Sequence, residues 1–261
     1  MRIVRFTPGP DAGLGQDPLF GVLEDDGLIS IISGDPIYSG IQKTAATIEL
    51  NKVRLLAPII PRSKVVCIGK NYADHAAEMG GVVPDEPIIF LKPNTSVIGP
   101  NDTIVWPEMS ERIDHEAELA IVIGRICKDV PKERVNDVIF GYTIANDVTA
   151  RDLQKKDGQW TRAKSFDTFC PIGPWVDTDF VPGTQKITAV IAGEVKQSAQ
   201  ISDMIFDVPT IINFVSRVMA LLPGDIILTG TPAGIGPMVP GEKATMAIEG
   251  LGELTNKVSA Q

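Results

Sequence analysis

The amino-acid sequence predicts a β-rich α+β fold, and three observations carry that expectation. Short apolar runs recur along the chain, and 24 Gly and 20 Pro residues punctuate them as turns. Long helical patterns are few. Strands and helices do not alternate in the regular βαβ rhythm of a doubly wound parallel sheet.

In chain order, residues 2–7, 19–24 and 28–32 read as short strands separated by Gly, Pro and Asp. The Pro-rich segment Ala57-Pro58-Ile59-Ile60-Pro61-Arg62 reads as a joint. It divides a small N-terminal domain, residues 1–57, from a larger one, residues 58–261. In the larger part the clearest strands are 65–68, 88–91, 119–123, 138–145, 187–191 and 225–228. Helices are expected at 74–79, 150–154 and 207–220. The last places Pro209, Ile211, Ile212, Phe214, Val215, Val218 and Met219 on one stripe, which reads as core.

With 261 residues, 44% of them hydrophobic, the chain is long enough for a substantial core. A net charge of −9 argues against a nucleic-acid partner, which needs a basic surface. Any anionic substrate then depends on local positive charge. Cys67, Cys127 and Cys170 are isolated, which argues for a reducing cytoplasm rather than a disulfide framework. The first residues lack a signal-peptide pattern, and no apolar run has membrane-spanning length, so no membrane partner is expected.

The chemistry concentrates in three carboxylates. Glu116 and Glu118 precede and enter the apolar run 119–123, and strand alternation points them the same way. Asp147 ends a second apolar stretch. Carboxylates are costly to bury unless positive charge meets them. An all-oxygen ligand set suits Mg²⁺, Mn²⁺ or Ca²⁺ rather than Zn²⁺. A solvated strand edge is the competing reading. Asp147, Arg151 and Gln154 are spaced to share a helix face, where Arg151 offers a two-pronged clamp for a substrate carboxylate. An ordinary surface ion pair would give the same spacing.

His75 and Glu78 are three apart in a short helical segment. A carboxylate beside an imidazole fixes its tautomer and raises its basicity, as a general base acting on water requires. Gly80-Gly81 beyond them permit a hinge, making the segment a candidate lid. An exposed His before a plain loop is the alternative. His115 reads as packing or support behind Glu116. Lys164 lies near Trp160 and Phe166, placed to offer charge to an oxyanion or simply to sit at the surface. The loop 229–236 lacks the Gly-Lys-Ser/Thr end of a nucleotide-binding loop. It reads as a tight turn that brings backbone N–H groups and the Thr231 hydroxyl to a small ligand.

Together these segments resemble the fumarylacetoacetate hydrolase family, its acylpyruvase and oxaloacetate decarboxylase-like branch. The resemblance rests on six pieces in order. These are Gly69 to His75 with Glu78; Phe90-Leu91-Lys92-Pro93; His115-Glu116-Ala117-Glu118-Leu119; Asn146 to Gln154; Ala163-Lys164-Ser165-Phe166; and Gly224 to Pro232. It implies a mixed β-roll with a small N-terminal β domain, a homodimer, and a Mg²⁺ or Mn²⁺ site, with Ca²⁺ a further option. Glu116, Glu118 and Asp147 match the metal ligands, and His75 and Glu78 the lid dyad. Arg151, Gln154, Lys164 and Thr231 match substrate-pocket positions. Lys70 stands where many relatives carry Arg, which keeps the charge and loses the planar fork.

The reaction so implied is hydrolysis of a C–C bond in a 2,4-diketo acid of the acylpyruvate or fumarylpyruvate type, through a metal-stabilised pyruvate enolate, as in aromatic compound catabolism. His75 with Glu78 would activate water and Lys164 would steady the oxyanion. Oxaloacetate decarboxylation and 2-hydroxyhepta-2,4-diene-1,7-dioate isomerisation pass through a related enolate. A non-catalytic dicarboxylate-binding protein would need the cation and Arg151 but not the His75–Glu78 pair. A purely structural cation is the third reading.

Overall fold

The apolar runs pair into one large mixed sheet that carries the site. In the computed structural model, which describes residues 1–260, this sheet has 12 strands. Its main path runs Lys43–Glu49, Leu28–Ile32, Leu19–Leu23, Arg2–Pro8, Cys170–Asp177, Ile139–Asn146, Ala117–Ile123, Ile226–Leu228, Val65–Gly69 and Ile88–Lys92. Ala117–Ile123 lies inside it, antiparallel to both Ile139–Asn146 and Ile226–Leu228. Every residue of that strand is buried. That is why its sequence is a continuous apolar run rather than an alternation.

Strand alternation splits the core in two. Leu119, Ile121 and Ile123 join a cluster with Ile187, Ala189, Met246 and Leu254. Those partners come from a five-stranded sheet ordered Glu194–Gln200, Lys186–Ile191, Lys243–Ile248, Gly252–Ala260, Thr103–Trp106. Ala120 and Val122 face the other way, against Val65, Cys67 and Leu228. Helix Val208–Val218 packs Ile211, Ile212 and Val215 into the first cluster. It starts where the Asp207 side chain accepts the Thr210 N–H at 2.9 Å, with Pro209 in the first turn.

Arg2–Pro8 pairs antiparallel with Cys170–Asp177, so the N-terminal strands extend the main sheet. They also enclose a small core of Val4, Phe6, Leu23, Ile29, Ile31 and Ile48. A third sheet, Thr149–Ala150, Ile113–His115 and Gly236–Met238, is made from segments next in the chain to three central strands, Ile139–Asn146, Ala117–Ile123 and Ile226–Leu228. The expected helix at 150–154 is Arg151–Asp157. Asp147 lies outside it, because the chain first makes the short strand Thr149–Ala150. Asp147 therefore reaches the site from a strand end, and the shared helix face expected for it is not formed. Among the described residues no helix is long and apolar enough to cross a membrane.

Candidate active site

Glu116 sits between the strands Ile113–His115 and Ala117–Ile123, and two contacts with the neighbouring strand end fix it there. Its N–H donates to the Asn146 side chain at 2.9 Å, and its carbonyl accepts the Asp147 N–H at 2.9 Å. Glu118 follows on the buried strand. The result is a convergence of Glu116, Glu118 and Asp147, one carboxylate oxygen from each lying within 4.8 Å of the others. All three are buried.

The charges around them are unequal. Lys164 Nζ donates to Glu116 Oε2 at 2.8 Å and to Asp147 Oδ2 at 2.6 Å. Lys92 Nζ takes the other Asp147 oxygen and the Val148 carbonyl. Arg151 Nη2 donates to Glu116 Oε1, Nε to Asp114 Oδ2 at 2.9 Å, and Nη1 to Gln154 Oε1 at 2.6 Å. Burial alone would raise the Glu116 carboxyl, but Lys164 and Arg151 overcome it and hold the group below the ordinary carboxylate range. Burial would likewise strip Lys164 of its proton, and Asp147 and Glu116 reverse that.

Glu118 is the exception. Among the described residues its one hydrogen bond comes from the Gly230 N–H, at 2.6 Å. Burial, with Asp147 and Glu116 as like-charged neighbours, pushes its carboxyl well above the usual range. Glu118 alone of the three carboxylates has no Lys or Arg in contact with it among the described residues. An all-oxygen, acid-rich set of this kind fits a hard divalent cation.

Of the residues singled out from the sequence, Lys70, His75, Glu116, Glu118, Asp147, Arg151, Gln154, Lys164 and Thr231 line one cleft, Glu78 stands behind His75, and His115 lies outside it. The cleft, open on one side to solvent, has a volume of about 350 Å³. Ile68, Met79, Phe90 and Trp160 supply apolar wall. His75, on helix Ala73–Glu78, is buried, with Nδ1 3.2 Å from Glu78 Oε2. The loop expected to greet a ligand serves the protein's own carboxylates instead. Gly230 donates to Glu118, and Gly234 donates to both Glu78 oxygens at 3.2 and 3.3 Å. Thr231 donates its hydroxyl to the Ala117 carbonyl at 2.9 Å and accepts from Gln197 Nε2 at 2.7 Å.

Three supporting residues received no role from the sequence. Lys92 stood in the matching piece Phe90-Leu91-Lys92-Pro93, at the end of an apolar run. Gln197 is fully buried and also accepts the Ala117 N–H at 2.9 Å, yet it lies on an otherwise exposed strand. Asn71 ties two distant segments, donating to the carbonyls of Thr229 and Phe206 at 2.7 and 3.0 Å. His115 is buried outside the carboxylate cluster, beside Gly236, and neither ring nitrogen has a hydrogen-bond partner among the described residues. Cys67 and Cys170 are buried, and burial raises both thiols, Cys170 to about 12, which makes them poor nucleophiles.

Residues 64–259 match the model of the fumarylacetoacetate (FAA) hydrolase C-terminal family, and residues 1–58 that of an Rv2993c-like N-terminal family. The chain belongs to the fumarylacetoacetate hydrolase family. It is 43% identical over 222 residues to the mitochondrial oxaloacetate tautomerase Fahd2a of Rattus norvegicus, covering 81% of this chain and 71% of that one. A 2-hydroxyhepta-2,4-diene-1,7-dioate isomerase from Mycobacterium marinum superposes with a TM-score of 0.89 at 47% identity, covering 100% of this chain and 99% of that one. Maleylpyruvate hydrolase from Sphingobium sp. SYK-6, solved with manganese(II) and pyruvate, superposes with a TM-score of 0.80 at 32% identity, covering 100% and 99%. These family members are enzymes of hydrolase, isomerase and tautomerase type, and the acidic triad together with the manganese-bound relative points to a divalent cation.

Proposed function

We propose that the protein hydrolyses the C–C bond of 2,4-diketo acids of the acylpyruvate and fumarylpyruvate type, with Mg²⁺ or Mn²⁺ held by Glu116, Glu118 and Asp147. One observation carries the reading: His75, with Glu78 3.2 Å from its Nδ1, stands on the same cleft as the three carboxylates. When bound, the cation supplies Lewis-acid polarisation of the 2-oxo acid head. Gln154 turns its carbonyl to Arg151, which leaves its amide N–H groups to orient the substrate. Glu78 accepts from His75 Nδ1, so Nε2 is the basic nitrogen. There it takes a proton from a water that attacks the C4 carbonyl. Lys164 shifts a hydrogen bond to the oxyanion. Collapse breaks C3–C4, and the proton held on His75 returns to C3, giving pyruvate and a carboxylic acid.

A second reading is proton transfer at C3 of oxaloacetate. The likeness to an oxaloacetate tautomerase supports it, and it needs His75 but no attacking water. His75→Ala tests the base. We expect hydrolysis to fall about 10²- to 10⁴-fold while Mn²⁺ affinity is unchanged. Unchanged hydrolysis, or loss of Mn²⁺ binding with the fold intact, contradicts the assignment.

A further inference from the structure

A second recess forms where the N-terminal strands meet the Pro-rich joint. Arg5 and Phe20 reach it from strands Arg2–Pro8 and Leu19–Leu23, and Tyr38 from the short helix Pro36–Ser39. Ile59 and Arg62 come from the joint itself, and Gly224 from the turn before strand Ile226–Leu228. The recess shares no residue with the cleft at the carboxylate triad. It is open to solvent and has a volume of about 640 Å³, within the range of small-molecule sites.

Arg5 sets this recess apart. Val4 and Phe6 enter the small N-terminal core, so strand alternation turns Arg5 the other way. Its backbone is fixed: it pairs in register with Phe20, and its carbonyl accepts the Leu56 N–H at 2.8 Å. Its guanidinium is half-buried, yet among the described residues it makes no hydrogen bond or ion pair. Burial pulls the pKa of this group down, and Asp35 opposes that from beyond contact. Arg62 is already engaged. Its guanidinium lies 4.1 Å from the centre of the Tyr38 ring, and its Nη2 is 3.8 Å from Asp35 Oδ2. Tyr38 is held by its hydroxyl, which donates to the Pro223 carbonyl at 2.9 Å, and Asp35 Oδ1 accepts the Ile37 N–H at 3.0 Å. Two guanidinium groups against one carboxylate leave a single positive charge, and Arg5 is its unengaged bearer. Phe20, Ile37 and Ile59 supply apolar wall beside it. A half-buried charge without a partner costs stability, so packing gives no reason for Arg5 at this position.

We infer that this recess is a second ligand site, which takes a monocarboxylate with a compact apolar body. The carboxylate meets the planar fork of Arg5, and the body lies against Phe20, Ile37 and Ile59. One uncompensated positive charge matches one negative charge, whereas a dianionic phosphate would also face Asp35. The inference stands apart from the reaction proposed for the cleft.

The probe is benzoate, and benzamide, of the same shape without the charge, is its control. Binding to the full chain in EDTA is measured by titration calorimetry in wild type and Arg5→Met. A charge-assisted contact of this kind corresponds to a preference of about tenfold to a hundredfold. Wild type is expected to bind benzoate saturably and to prefer it to benzamide by that factor. Arg5→Met should lose the preference and melt no lower than wild type, because an unpaired charge has gone. Mn²⁺ with excess pyruvate should leave benzoate binding unchanged, since the cleft is elsewhere. No saturable binding, equal binding of benzamide, a preference that survives Arg5→Met, or displacement by Mn²⁺ and pyruvate overturns the inference. Arg5→Gln repeats the comparison if Arg5→Met does not fold. A lower melting temperature in both variants would show that the protein itself uses the charge, and would also overturn it.

Discussion

Lys92→Met is the sharpest test of how the carboxylates are held. Lys92 and Asp147 are both fully buried, and Lys92 Nζ bridges Asp147 Oδ1 and the Val148 carbonyl. Removing one partner of a buried pair costs about 3–5 kcal/mol, because the other charge is left uncompensated. Lys164 still neutralises Asp147 Oδ2, which favours the lower end of that range. At about 2–4 °C per kcal/mol for a chain of this size, ~3 kcal/mol lowers the melting temperature by roughly 6–12 °C. The assay is thermal unfolding in EDTA, followed by urea titration. The double variant Lys92→Met with Asp147→Asn should recover part of the loss, since that charged pair is then gone while Lys164 keeps Glu116 as its anionic partner. A shift under about 2 °C for the single variant, less than 1 kcal/mol on the same scale, would refute the reasoning.

Two other outcomes follow from the same geometry. Burial and the anions of Asp147 and Glu116 raise the Glu118 carboxyl, so in the cation-free fold it keeps a proton that the unfolded chain has already lost. It therefore destabilises the cation-free fold as pH rises from the ordinary carboxylate range through the raised value. A cation favours the ionised form and expels the proton. Mn²⁺ affinity should climb with pH across that window, with about one proton released per ion by calorimetry in two buffers; a flat profile contradicts this. Gly234 has φ +97°, and a Cβ there would stand 2.0 Å from the Lys196 carbonyl oxygen. Gly234→Ala should displace the N–H that Glu78 accepts and lower kcat/KM about a hundredfold, with Mn²⁺ affinity retained through Gly230 and Thr231. Equal loss of both would show that the loop is a single unit.

The strands that position the site were legible because they are buried on both faces. Ala117–Ile123 and Ile139–Asn146 are apolar runs that announce themselves, and the charged residues at their ends stand out against them. Other strands were hidden by their surroundings. Glu194–Gln200 is an exposed edge with a polar sequence, and Cys170–Asp177 contains Pro171, Gly173 and Pro174, which interrupt its apolar pattern. The same difference separates the site residues found from those missed. Glu116, Glu118 and Asp147 break apolar runs. Gln197 breaks nothing, and its role arises only where the five-stranded sheet meets the turn at Thr231. The hydrogen bonds of the 229–236 loop were anticipated as donors to a ligand. Which acceptors they reach depends on residues far away in sequence, Glu118 and Glu78.

The central claim is cation-dependent C–C hydrolysis, and product analysis tests it most directly. Protein stripped with EDTA, then supplied with Mg²⁺ or Mn²⁺, is incubated with fumarylpyruvate, acetylpyruvate and oxaloacetate, and pyruvate, released acid and CO₂ are measured. The account predicts cation-dependent formation of pyruvate with an equal amount of carboxylic acid from a diketo acid. Turnover of oxaloacetate alone, or no product from any diketo acid under conditions where Mn²⁺ binds, would contradict it.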